Sequence, residues 1–280
     1  MRTEEDLIVA RINWQSVLVR AAQIVNSYDT GVTLRQLFYR LVSEQLIPNK
    51  QTTYNTLSAR TAEARREGWF PSLVDRNRTI QRYRTFTSPR QALDWLAAIY
   101  RIDRTINQDY TIFIGVEKNG LLNLLLNWYG DYGIPVVALG GYGSQTFKDE
   151  IREDVESQGR PAILIYAGDF DPSGEDILRD FVRRTDCWDE VIRIALNPEQ
   201  IDEYNLPPLP GKASDSRAEG FIRRHGELMQ VELDALPPDV LKGLYDDELA
   251  NWFNFGTYDE IVDREEEETT KLRSLMGKAS

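Results

Sequence analysis

The chain has 280 residues, 41% of them hydrophobic and 28% charged, with a net charge of −12, one cysteine and one histidine. That length allows one large or two modest domains with their own cores, and two are expected. A disulfide within the chain is excluded, zinc sites built from several Cys and His ligands are excluded, and a Ser-His-Asp triad or Cys-His pair would have to use His225.

His225 sits in Arg223-Arg224-His225-Gly226, which reads more simply as the polar end of a helix. Chemistry must therefore rest on carboxylates, lysine or arginine, hydroxyls and a metal. No apolar stretch approaches the roughly 20 residues of a membrane helix. The acidic start Met1 to Asp6 lacks the apolar core of a signal peptide, so a cytoplasmic protein is expected.

Apolar residues at helical spacing predict a helix over 7–27, and Thr33 looks like the N-cap of another over 34–45, stopped by Pro48-Asn49. A third is expected over 52–67, ended by Gly68, with a turn or short strand at Trp69-Phe70-Pro71. Three helices and a short extended segment resemble a winged helix-turn-helix, whose third helix would offer Arg60, Arg65 and Arg66 to a groove or to phosphates. Between Gly31 and Arg90 eleven basic residues face four acidic ones, about +7, so the overall acidity lies elsewhere, above all in 246–248 and 263–268. A basic module beside an acidic one suggests a polyanion on the first and a metal on the second.

Beyond Ser88 the pattern changes. A helix is expected over 89–106, then a buried strand over 110–116 ending in Glu117-Lys118, and a helix over 121–129. A strand over 135–139 runs into the glycine-rich Gly140 to Gly143 and a helix over 145–157. The strand 162–167 leads into Gly168-Asp169-Phe170-Asp171-Pro172-Ser173-Gly174, followed by a helix over 173–184 and a strand over 190–195. Such alternation specifies an α/β fold with a parallel sheet. The domains read as a helical, winged-helix-like DNA-binding domain over 1–87, an α/β metal-binding domain over 88–256 and an acidic tail over 257–280, the last as a solvated helix or partly disordered.

Residues i and i+2 of an extended segment point the same way, so Asp169 and Asp171 can share a hard cation. Ligands of open α/β sheets gather at the carboxyl ends of strands, where Glu117 also falls. Three carboxylates without histidine suit Mg²⁺. The competing reading makes Asp169 and Asp171 turn and helix-capping residues and Glu117 a surface acid. Lys118 is placed either to reach a phosphate or to neutralise its neighbours.

Val116-Glu117-Lys118 and Asp169-Phe170-Asp171-Pro172-Ser173-Gly174 resemble the Toprim domain, a Rossmann-like parallel-sheet module. The second motif is similar to its form in the A subunit of type IIB topoisomerases and their meiotic double-strand-break relatives. Thr33-Leu34-Arg35-Gln36-Leu37-Phe38-Tyr39 is similar to the segment that carries that family's DNA-linking tyrosine. Val231 to Pro238 is similar to the end of its Toprim region. The resemblance implies that Tyr39 attacks a phosphodiester of double-stranded DNA, assisted by Arg35 and by Mg²⁺ on Glu117, Asp169 and Asp171, in a homodimer that joins one chain's tyrosine to the other's metal site. This sequence has Ser173 where many Toprim proteins carry a third aspartate, so a further acid would have to be Glu175 or Asp176. No Gly-x-x-x-x-Gly-Lys-Ser/Thr occurs, so ATP-driven strand passage would need a separate ATPase subunit. Two alternatives stand beside this one: a hydrolytic Toprim endonuclease with Tyr39 structural, and a non-catalytic DNA-binding assembly factor.

Overall fold

Side-chain caps mark several helix starts in the computed structural model, which describes residues 12–28, 31–74, 83–141, 143–211 and 214–278. Helix α1 (Trp14–Asn26) begins at Asn13, whose side chain accepts from the Ser16 amide; the expected start at residue 7 lies outside the described residues. Thr33 and Gln36 form a reciprocal capping box at the start of α2 (Leu34–Ser43), and α3 (Gln51–Arg66) follows. Helix α4 (Pro89–Ile99) is capped by Ser88. Then come β1 (Thr111–Val116), α5 (Asn119–Tyr129), β2 (Val136–Ala138), α6 (Gln145–Gln158), β3 (Ala162–Ala167), α7 (Pro172–Thr185) and β4 (Glu190–Ala195). The rest is α8 (Pro198–Glu203), β5 (Leu209–Pro210), α9 (Ala218–His225), β6 (Met229–Gln230), a 3₁₀ turn at Leu233–Ala235, α10 (Pro238–Leu249) and α11 (Phe255–Lys278).

The chain divides into two compact units. The first comprises Met1–Arg78, Gly168–Asp176 and Ala195–Lys242; the second comprises Thr79–Ala167, Ile177–Ile194 and Gly243–Ser280. In the first, Leu37, Phe38, Leu41 and Val42 of α2 are buried, as are Val17, Leu18, Ala21, Ile24 and Val25 of α1 and Leu57 and Ala64 of α3. Three helices are thus present where they were expected. The turn or strand foreseen at Trp69 to Pro71 is a turn: the amides of Trp69 and Phe70 fold back onto the Ala64 carbonyl, and no strand lies between α3 and α4 among the described residues. A wing is therefore not part of what is described, and Arg76, Arg78 and Arg82 lie outside it.

The second unit is α/β. Its four strands form a parallel sheet in the order β2-β1-β3-β4, with Thr111 opposite Ala162 and Val116 opposite Ala167. Every residue of β1 and β3 is buried, as strands covered on both faces require. Phe113, Leu164 and Tyr166 of the sheet pack with Ile151 and Val155 of α6 and with Phe181 of α7. Tyr245 of α10 donates to the Gly115 carbonyl at 2.6 Å.

Two expectations are corrected here. Helix α4 stops at Ile99 rather than 106, because the next residues turn on their own side chains: Asp103 accepts from the amide and hydroxyl of Thr105, and Asn107 has φ +63°. The segment expected as a solvated helix or a partly disordered tail is a helix, α11, and one side of it is buried rather than solvated. Glu265 accepts from Arg104 at 2.7 Å and from the Ile102 amide at 2.9 Å, and Met276 is buried. Burial alone would raise the Glu265 carboxyl, but the Arg104 and Ile102 hydrogen bonds outweigh it and hold the group below the usual range. No helix among the described residues is long and apolar enough to cross a membrane.

Candidate functional site

Helix α2 positions two of the sequence-derived residues one turn apart on one face. The Arg35 guanidinium lies 5.6 Å from the centre of the Tyr39 ring, and Tyr39, 9% exposed, stands edge-on to Phe38. Arg35 is held in turn by two carboxylates: its Nη2 donates to Glu232 at 2.5 Å and its Nε meets Asp234 at 3.0 Å. Desolvation pulls the guanidinium pKa down, but Glu232 and Asp234 more than offset it, so Arg35 is held above its ordinary value and stays charged.

Between those carboxylates lies Leu233, whose amide donates to Oδ1 of the buried Asp169 at 2.7 Å. Two residues earlier, Val231 and Phe170 exchange both backbone hydrogen bonds, at 2.9 and 3.0 Å. The segment 231–234 is therefore a strap, bound on one side to the Asp169 turn and on the other to the arginine beside Tyr39. All of these residues belong to the first unit. Glu232 and Asp234 were not singled out from the sequence, though their i, i+2 spacing around a buried leucine is a signal of the same kind as that of Asp169 and Asp171.

Asp171 starts α7. Its Oδ1 accepts from the Gly174 amide at 2.7 Å and its carbonyl from the Glu175 amide at 3.2 Å, a capping geometry favoured at the positive end of a helix. Glu175 and Asp176, the substitutes for a third aspartate, are both in ion pairs. Glu175 bonds Arg224 and, at 2.6 Å, Nε2 of His225, while Asp176 faces Arg217 at 3.6 Å. Arg217 also bonds Asp215 through side chain and backbone, and holds that carboxyl at about 2. His225 is the last residue of α9, as expected, and its ring packs on Phe170 and Phe221.

In the second unit Glu117 ends β1, with its amide on the Ala167 carbonyl at 3.0 Å, and Lys118 occupies the N-cap position of α5 without a side-chain capping bond. The Gly140 amide closes onto the Glu117 carbonyl at 2.8 Å with φ +53°, which is why glycine stands there. Carboxylate oxygens are suitable donors for Mg²⁺. Among the described residues, however, no three acidic, histidine or cysteine side chains come together closely enough to hold a metal ion, so no catalytic step is routed through one.

The basic residues of α3 are exposed along the helix. Arg60 stacks on Trp14 at 5.3 Å, Arg65 bonds the Thr61 carbonyl at 3.2 Å, and Arg66 is exposed near the C-terminus of the helix. No family model matches the chain, and no curated protein does.

Proposed function

We propose that this chain binds double-stranded DNA and cleaves it by transesterification through Tyr39, in the manner of the A subunit of type IIB topoisomerases. The observation that carries this reading is Arg35, fixed beside Tyr39 by the strap that also holds Asp169. A phenol with an ordinary pKa of about 10 needs a nearby cation to attack at neutral pH. Arg35 is a cation at every accessible pH, and Glu232 and Asp234, which fix it beside the ring, offset part of its charge there. In the step itself the Tyr39 oxygen bonds to phosphorus, one ester oxygen leaves and takes up a proton from solvent, and the phenol proton passes to solvent. The number of phosphate ester bonds is unchanged, so the break is reversible. A homodimer would cut both strands, and strand passage would need a separate ATPase subunit.

The test uses end-labelled duplex DNA incubated with the protein and Mg²⁺, then denatured. Label retained on the protein supports the transesterase. Cleavage with free ends only would establish the hydrolytic endonuclease, and binding without cleavage the assembly factor.

Two further outcomes are expected. Arg65→Ala and Arg66→Ala each weaken duplex binding and reduce the slope of log affinity against log salt by about 1, because each phosphate contact releases condensed counterions; anisotropy titrations at several salt concentrations read this directly. Magnesium is proposed at Asp169 and Asp171. Calorimetric titration then shows saturable Mg²⁺ binding that Asp171→Ala removes, and no heat of binding in the wild type would leave Arg35 as the charge acting on Tyr39.

A further inference from the structure

The Arg35 side chain is half-exposed, and a long exposed side chain keeps one position only where something grips it. Glu232 and Asp234 are that grip, and their placement depends on what holds the residue between them. Leu233 is buried, and its amide donates at 2.7 Å to a buried acceptor, Oδ1 of Asp169. A hydrogen bond to a carboxylate away from water is among the stronger ones a protein makes, and a buried amide stripped of its acceptor is costly. The neighbouring contact is equally closed to solvent. Phe170 and Val231 are buried where they pair through their backbones, and the Phe170 ring centre lies 5.0 Å from that of Phe221. The strap therefore cannot move without opening the Asp169 turn.

The contact with Leu233 asks of residue 169 an acceptor oxygen at one fixed place, not a charge. A divalent cation asks for the charge. One substitution separates the two demands, because asparagine keeps a carbonyl oxygen that can accept from the Leu233 amide and has lost the carboxylate.

We infer that Asp169 is a positioning residue for the reaction at Tyr39. Through the Leu233 amide it holds Glu232 and Asp234 where they fix Arg35 beside the phenol, a role that needs no metal. The inference rests on the reading of Tyr39 as nucleophile for the reaction served, but the linkage itself is tested without DNA or Mg²⁺.

The test follows exchange of the Arg35 Nε–H with solvent by NMR in the full chain. Asp169→Ala removes the acceptor and is expected to speed exchange roughly tenfold, the scale of one lost buried hydrogen bond. Asp169→Asn is expected to exchange at the wild-type rate. Asp169→Glu retains the charge but displaces the oxygen by a methylene, and is expected to speed exchange about threefold while the Phe170 and Val231 amides stay protected, so the linkage is still tested if Asp169→Ala fails to fold. In the cleavage assay Asp169→Glu should also move the ascending limb of the pH–rate profile to higher pH, because the cation beside the phenol is less well placed. Wild-type exchange in Asp169→Ala or Asp169→Glu is what a residue serving only a cation would give, and it would overturn the role. Exchange in Asp169→Asn as fast as in Asp169→Ala would overturn it as well. Label transfer with exchange unmoved would remove the positioning role and leave the transesterase; exchange that responds as expected, with no label transferred by the wild type, would keep the linkage and remove the nucleophile it serves.

Discussion

Tyr39→Phe is expected to remove covalent protein–DNA product by a factor on the order of 10³ or more, the scale seen when a nucleophile is deleted, while leaving duplex affinity within about twofold. The substitution keeps the ring that packs on Phe38 and lies near Arg35, so the fold is retained and the melting temperature shifts by a few degrees at most. Arg35→Lys sharpens the test. Lysine keeps the charge but cannot reach Glu232 and Asp234 as a fork, so the cation is no longer fixed beside the ring. A less well placed cation stabilises the phenolate less, so the ascending limb of the pH–rate profile, along which the nucleophile loses its proton, moves to higher pH. A purely structural Arg35 would change the yield of folded protein without moving that limb. If Tyr39→Phe still cuts DNA at the wild-type rate, the nucleophile is water and Arg35 serves packing alone.

The parallel sheet was legible because each turn announces itself. Strands β3 and β4 begin and end where the sequence places them, and α5 to α7 differ by one or two residues, since glycine, asparagine or proline punctuates most of the connections. Local chemistry also marked Thr33 as a cap and His225 as a helix end. What escaped is non-local. Glu265 looks like one more acid in a solvated run until it is seen to pair with Arg104, 161 residues earlier in the chain. Glu232 and Asp234 acquire meaning only through Arg35, which lies almost 200 residues upstream. No periodicity records such pairs, and nothing local signals that Gly168–Asp176 and Ala195–Lys242 pack with the N-terminal helices. The arginine beside Tyr39 could be read from i, i+4 spacing; what holds that arginine in place could not.

The largest stability effect is expected at a pair remote from any proposed chemistry. Lys148 on α6 is 1% exposed and donates to Asp180 on α7 at 2.9 Å, while Asp180, 7% exposed, also accepts from Arg183 at 2.8 Å and Arg184 at 3.0 Å. Asp180 is the ion-pair partner of Lys148 among the described residues, so Asp180→Leu leaves a buried ammonium uncompensated and is expected to cost about 3–5 kcal/mol in urea unfolding at pH 7. Lys148→Met costs less, because Asp180 keeps two arginines at the rim. The double variant should recover most of the loss, since an apolar pair of similar volume removes both desolvation penalties. The pH dependence follows from sign. The Lys148 hydrogen bond, reinforced by Arg183 and Arg184, depresses the Asp180 carboxyl against the opposing effect of burial. Its contribution is therefore complete above the unfolded value of about 3.9 and is lost as pH falls through the lower folded value. Wild type should lose stability steeply below about pH 4, and the double variant less steeply; equal acid limbs in the two proteins would show that the pair contributes nothing to holding α6 on α7.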